Sequence, residues 1–154
     1  MIIFVLSFIS TTPWCLRTIF ANTLNIKSVD FSPDGEFIVT GSSSGTVLLW
    51  KANTLEILKT YSFPVAVWEA VFSKDQLLIA IAGEQNNVHV ININTFTLNL
   101  TLNANHNGIV FDVDFSYDSS KIITCGDDGH TKIWKTSDGS SIADKTNKHE
   151  SYSC

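Results

Sequence analysis

The chain has 154 residues, 44% of them hydrophobic, and a formal net charge of −5. That length can enclose a core, while the acidic balance and singly scattered Lys and Arg lack the basic stripe of a backbone-driven nucleic-acid binder. Cys15, Cys125 and Cys154 are too few and too far apart for a disulfide framework, which predicts reduced thiols in an intracellular setting, with Cys125 as a small core filler.

Met1–Ser10 is strongly apolar, too short to span a bilayer, and without the basic n-region and good cleavage site of a secretory signal. Phe4–Ile9 and Cys15–Ile19 within and after it have strand length. Strands are then predicted at Lys27–Phe31, Phe37–Thr40, Val47–Trp50 and Leu55–Thr60, with Pro33-Asp34-Gly35 as the first turn. A second set lies between Val65 and Leu102. Its third strand is Val88–Ile93, preceded by Asn86-Asn87, a pair that tolerates the left-handed turn region. The Asn99-Leu-Thr101 sequon falls in a predicted strand and reads as a chance match. The third set holds Ile109–Phe115, Lys121–Thr124 and Thr131–Trp134, and Asp128-Gly129 supplies the positive φ of a tight hairpin. Ile142-Ala143 is the only apolar remnant of a further strand. Asp144–Cys154 is polar and aperiodic, which predicts a disordered tail.

The three sets are copies. Phe31-Ser32, Phe72-Ser73 and Phe115-Ser116 recur at steps of 41 and 43 residues. Nineteen positions after each Phe stand Trp50, Ile91 and Trp134, and five before those come Gly45, Asn86 and Gly129. Five before each Phe are Ile26, Val67 and Val110; two before are Val29, Ala70 and Val113. A repeat of this length with four strands per unit predicts an all-β chain of propeller blades.

Phe31-Ser-Pro-Asp-Gly35, Gly45-Thr-Val-Leu-Leu-Trp50 and Asp128-Gly-His-Thr-Lys-Ile-Trp134 resemble the signature pieces of the WD-repeat family of β-propellers. The resemblance runs from about Cys15 to Lys135, strong in the first and third copies and degenerate in the second. It implies an incomplete propeller: about three blades of four-stranded antiparallel sheet in an open arc, not a closed ring. The blades would occupy residues 14–143, as staggered sequence repeats 14–51, 55–93 and 96–136, between an apolar segment 1–13 and the tail 144–154. Glu56–Thr60 and Asn99–Leu102 fall where the family has the outermost strand of a blade. Cys15–Ile19 aligns with them, so Phe4–Ile9 would be the strand just inside; a weak signal-like stretch is the alternative for this segment.

The resemblance also carries a polar constellation. His106, Thr124, Asp128 and Trp134 match a buried hydrogen-bond relay found in many blades of the family, His106 reaching Asp128 and Thr124 and the Trp134 indole capping the line. The rival reading is a Thr-His-Asp nucleophile system in a hydrolase using His106 and Asp128, which needs an open pocket and an oxyanion hole. The first copy keeps Thr40 and Trp50 but has Asn22 and Ser44 in place of His and Asp. The second has Phe63, Ile81, Gln85 and Ile91, an apolar replacement for nearly the whole set. His89, His130 and His149 stand at no metal-ligand spacing and read as solvated side chains. No metal or cofactor is expected.

Between the apolar positions five and two before each repeat Phe lie two residues that break strict alternation: Lys27-Ser28, Trp68-Glu69 and Phe111-Asp112. The resemblance places them at the narrow face around the central channel, where partners dock. Aromatics beside acids suit a basic peptide; packing of Trp68 and Phe111 against neighbouring blades is the competing reading. The sequence therefore predicts a non-catalytic scaffold that binds a protein or peptide through Lys27, Trp68, Glu69, Phe111 and Asp112. It binds no nucleic acid, spans no membrane, and self-associates or is completed by another propeller segment. A cytoplasmic or nuclear location is expected, with a secreted fragment, or a piece of a longer WD-repeat protein without independent activity, as alternatives.

Overall fold

The computed structural model describes residues 4–6, 17–19, 25–84, 86–103 and 106–146, and every regular element among them is a strand. β1 (Phe4–Leu6) pairs antiparallel with β2 (Arg17–Ile19), Phe4 opposite Ile19. Residues 7–16 lie outside the described residues, so the expected reach of these strands to Ile9 and back to Cys15 does too. The first blade is β3 (Ile26–Phe31), β4 (Phe37–Ser42), β5 (Thr46–Lys51) and β6 (Glu56–Ser62). The middle blade is β7 (Val67–Phe72), β8 (Leu78–Gly83), β9 (Val88–Asn92) and β10 (Thr97–Leu102). The third is β11 (Val110–Phe115), β12 (Lys121–Gly126), β13 (His130–Lys135) and β14 (Ser141–Thr146). Each blade is a four-stranded antiparallel sheet in which strands pair in chain order, and the three do not close on one another.

One turn is built three times. Ser32 Oγ donates to Asp34 at 2.6 Å, as Ser73 does to Asp75 and Ser116 to Asp118. The serine N–H of each copy also donates to the carbonyl that opens the second strand, Phe37, Leu78 or Lys121. The residue after the turn aspartate is left-handed in all three: Gly35 (φ 72), Gln76 (φ 62) and Ser119 (φ 57). Only the first copy has the glycine that accepts this conformation freely. In the hairpin turns Gly45 is required twice over. Its φ is 79, and a Cβ there would strike the Phe63 and Val65 carbonyl oxygens.

Two extra residues per blade, at equivalent places, set the twist. The inner pairs shift register between Ile26 and Ser28, Val67 and Glu69, and Val110 and Asp112. Lys27, Trp68 and Phe111 are thus the bulged residues of β3, β7 and β11. The outer pairs shift likewise, leaving Leu58, Asn99 and Ile142 unpaired in register. A bulge bends its strand, sharpens the right-handed twist and re-aims a side chain.

The core lies between blades. Val39, Val47 and Leu49 of the first blade pack with Ala70, Phe72, Ile79 and Ile91 of the middle one. Ala80, Val88 and Val90 pack with Val113, Phe115, Ile122 and Trp134 of the third. Each fully buried Phe or Ile stabilises the stack by about 1.5–3 kcal/mol relative to exposure. The interfaces also carry polar links. The Phe72 N–H donates to Asp30 Oδ2 at 2.9 Å, and the Asp75 N–H to Ser119 Oγ at 3.0 Å.

The ends of the arc differ from its middle. Phe31 is 44% and Val29 43% exposed, whereas their counterparts Phe72 and Ala70 are 1% and 0% exposed. On the far flank of the third blade Ile123 and Ile142 are likewise exposed.

Three expectations need correction. Asp144 does not begin a disordered tail: β14 continues through Thr146, with Asp144 tied to β13, its carboxylate 2.6 Å from His130 Nδ1 and 3.6 Å from Lys132 Nζ; residues 147–154 lie outside the described residues. Cys125 is buried, as a core filler should be, but it is disulfide-bonded rather than a free thiol. His89 is not solvated: it is half-buried, its ring stacked on Phe63 with centroids 5.1 Å apart, and burial lowers its pKa.

Candidate partner-binding rim and the buried relay

The three inner bulges put their extra residues side by side. Lys27 Nζ lies 4.3 Å from the centroid of the Trp68 ring, and Trp68 meets Phe111 edge to face at 5.5 Å. The result is a step of cation, indole and phenyl crossing β3, β7 and β11. Lys27 is exposed, and Trp68 and Phe111 are half-buried; the two rings pack on each other across blades, as the competing reading expects. The Trp68 indole N–H is itself buried and has no acceptor among the described residues. A buried unpaired donor costs on the order of 1–3 kcal/mol.

Next to that step sit the acids. Glu69 and Asp112 follow the bulged residues, and Asp30 and Asp114 stand two positions further on in β3 and β11. Burial pushes the Glu69 carboxyl up to about 7; the negative charge of Asp112, then of Asp30, adds to the rise, and Asp114 contributes least. At neutral pH the rim therefore holds a carboxyl that is still partly protonated, because burial and neighbouring carboxylates disfavour its charge. Lys74 reaches Asp114 only at 3.9 Å, with both side chains exposed.

The relay residues meet deep in the third blade. His106 Nδ1 lies 2.9 Å from Asp128 Oδ1, and His106 Nε2 lies 2.9 Å from Thr124 Oγ1. The Trp134 indole N–H donates to Thr124 Oγ1 at 3.1 Å. With a carboxylate at Nδ1, a neutral imidazole carries its proton there, and Nε2 accepts from the Thr124 hydroxyl. Asp128 also accepts from the backbone N–H groups of Asn107 and His130. Burial would raise the Asp128 pKa, but the His106 hydrogen bond and those two N–H donors outweigh it and hold it below the ordinary carboxylate value. The direction of hydrogen bonding is that of a nucleophile triad. However, Thr124 and His106 are each 1% exposed, and the indole N–H already occupies the threonine oxygen. No reagent reaches that oxygen without unpacking the blade.

The other blades divide as their sequences suggest. Trp50 donates to Thr40 at 3.0 Å, so the first blade keeps the last link of the line. Ser44 turns away to Ser42 Oγ at 2.8 Å, and Asn22 lies outside the described residues. In the middle blade Ile81 and Ile91 are buried and belong to the core, while Gln85 lies outside the described residues. Sequence reasoning overlooked Asp30 as an acceptor for the next blade and Lys27 as the cation on Trp68. The broken alternation at Lys27-Ser28 signalled the bulge, but it could not give the direction of the side chain.

Among the described residues, no three His, Cys, Asp or Glu side chains are placed to hold a metal ion, and no helix is long and apolar enough to cross a membrane.

The family model described as WD domain, G-beta repeat matches residues 13–51 and 96–135, just over half of the chain. Polyadenylation factor subunit 2 of Candida albicans is 31% identical over 117 residues, covering 74% of this chain and 21% of the relative. The serine-threonine kinase receptor-associated protein of Dictyostelium discoideum is 32% identical over 111 residues, covering 72% of this chain and 37% of the relative. A crystal structure of the RRP9 WD40 repeats superposes with a TM-score of 0.82 at 15% identity, covering 88% of this chain and 42% of that one; this is a likeness of fold. The chain thus spans between about a fifth and two fifths of the length of these curated relatives.

Proposed function

The chain belongs to the WD-repeat family, and from that premise we propose that it is a non-catalytic interaction scaffold whose rim of inner-strand bulges binds a protein or peptide carrying basic residues. One observation carries the reading: three equivalent bulges line up Lys27, Trp68 and Phe111 beside Glu69 and Asp112. Half-buried aromatic area bordered by carboxyls that outnumber the nearby lysines favours a cation on a short apolar stem. The two relatives support it in kind, one being called a factor subunit and the other receptor-associated. An intracellular place of action is part of the same proposal. The hydrolase reading is disfavoured by the burial of Thr124 and His106. The test is titration of the full chain with a short glycine-serine peptide bearing lysine and arginine, against its counterpart bearing glutamate. Binding of the first that falls at least about tenfold in Trp68→Ala supports the rim; equal binding of the two peptides contradicts it.

A second partner follows from the exposure of Phe31, Val29 and Ile123. Equivalent surfaces are buried wherever two blades meet, so these flanks suit another blade, whether from a second copy or from another propeller segment. Light scattering after size exclusion at micromolar concentration tests self-association; a monomer that unfolds cooperatively would contradict it and leave only completion by a different segment.

A further inference from the structure

The cation on Trp68 comes from the chain itself. Lys27 Nζ sits 4.3 Å from the ring centroid, on an exposed side chain whose flexible stem orders at an entropic cost. We propose that Lys27 is a built-in competitor: its ammonium occupies the face of Trp68 that a lysine or arginine of the bound peptide takes, and it must swing aside for that peptide to dock. The inference rests on the rim reading above and adds to it which atoms the partner's cation displaces.

The charges around the step make the exchange favourable. Asp112 and Asp114 of β11 and Asp30 of β3 act on Glu69 of β7; β3 also brings Lys27, and of the other strands packed against β7, β4 and β8 carry no charged side chain and β5 carries Lys51. Four carboxyls, those of Glu69, Asp30, Asp112 and Asp114, set against the ammoniums of Lys27 and of Lys74, which lies 3.9 Å from Asp114, leave the rim acidic even with Lys27 in place. An incoming second cation would share that field, and Lys27, freed from the ring, stays within reach of the acids. A further positive charge near Glu69 also favours its ionised form, so docking should expel a proton around neutral pH. Phe111 packs on Trp68 across the blade boundary, the two rings perpendicular with centroids 5.5 Å apart.

The experiment is calorimetric titration of the full chain with the lysine- and arginine-bearing glycine-serine peptide at pH 7, in two buffers of different ionisation enthalpy. Lys27→Met keeps most of the apolar stem and removes the charge; it is expected to tighten binding about two- to fivefold, the worth of one exposed cation–π contact. Lys27→Arg retains a competing cation and is expected to stay within about twofold of the parent chain. Binding to the parent should release protons, and Glu69→Gln should abolish that release while still binding. Unchanged or weaker binding by Lys27→Met overturns the competitor inference and leaves the rim standing, because the parent chain still binds. No binding by the parent or by Lys27→Met overturns the rim reading, and the inference with it.

Discussion

Two indoles, Trp134 and Trp68, sit in similar sheets and do opposite things. Trp134 is 5% exposed, its N–H donates to Thr124, and Thr124 goes on to His106 and Asp128. Trp68 is half-buried, its N–H has no acceptor among the described residues, and Lys27 Nζ lies 4.3 Å from its ring centroid. The relay looks like catalytic machinery because Asp, His and Thr stand in line, yet its hydrogen-bonding capacity is used up and water is shut out. The rim has no such line of fastened groups: its aromatic step and its crowded carboxyls are the features on which the proposed docking rests. What separates the fastening from the proposed binding site is whether the polar groups are already satisfied, not which residue types are present.

The largest effect expected from this contrast is on stability. Trp134→Ala removes a core indole and should cost about 3–5 kcal/mol in urea denaturation. Trp68→Ala, at a half-exposed site that also loses an unpaired N–H, should cost about 1 kcal/mol. Comparable losses would mean that Trp68 belongs to the core.

Within the relay, Asp128→Ala leaves the buried His106 proton and two backbone N–H groups short of an acceptor. A loss of about 1–3 kcal/mol is expected. Ser44, at the equivalent place in the first blade, bonds among the described residues only within its own turn, and Ser44→Ala should cost less than about 0.5 kcal/mol. Equal shifts in denaturation midpoint for the two would break the relay assignment.

These contrasts were partly legible in the chain. The repeat of Phe31, Phe72 and Phe115 fixes the blade spacing, and the turn residues between the copies give the strands to within about two residues. The relay could be found by matching positions, because hydrogen bonding restricts which residue types fit. The rim was harder. Alternation fails at Trp68-Glu69, but a bulge and a simple irregularity look alike in one dimension, and the stacking of Lys27 on a ring 41 positions away is a tertiary fact. The length of β14 was also hidden: Asp144 and Lys145 read as tail, and only pairing to His130 and Lys132 shows why they extend a sheet. Gln76 and Ser119 likewise take up a left-handed conformation that no glycine announces.

The smallest expected effect is on pH dependence, and it has opposite signs in the two regions. Glu69 is raised in the fold to about 7 from an ordinary value of 4.5. The folded state thus binds more protons than the unfolded one between those values, and stability declines as pH rises through them. Glu69→Gln should therefore gain on the parent at pH 8 relative to pH 4, by about 1 kcal/mol once solvent screening of a half-exposed group is allowed for. Asp128 is lowered in the fold. Its contribution is present above the ordinary carboxylate value and disappears as pH falls through the lower, folded one, so Asp128→Ala should differ least from the parent in strong acid. Thermal midpoints of the three chains across pH 3 to 8 would show both trends.

The most direct test of the division between fastening and binding site reads both properties in the same two variants. Trp68→Ala and Asp128→Ala are titrated with the lysine- and arginine-bearing glycine-serine peptide at a temperature where circular dichroism shows each fully folded. Trp68→Ala is expected to lose at least about tenfold in affinity for only its small loss of stability, and Asp128→Ala to bind like the parent despite its lowered midpoint. Retained binding in Trp68→Ala together with lost binding in folded Asp128→Ala would contradict it, and would move the functional site from the rim to the relay.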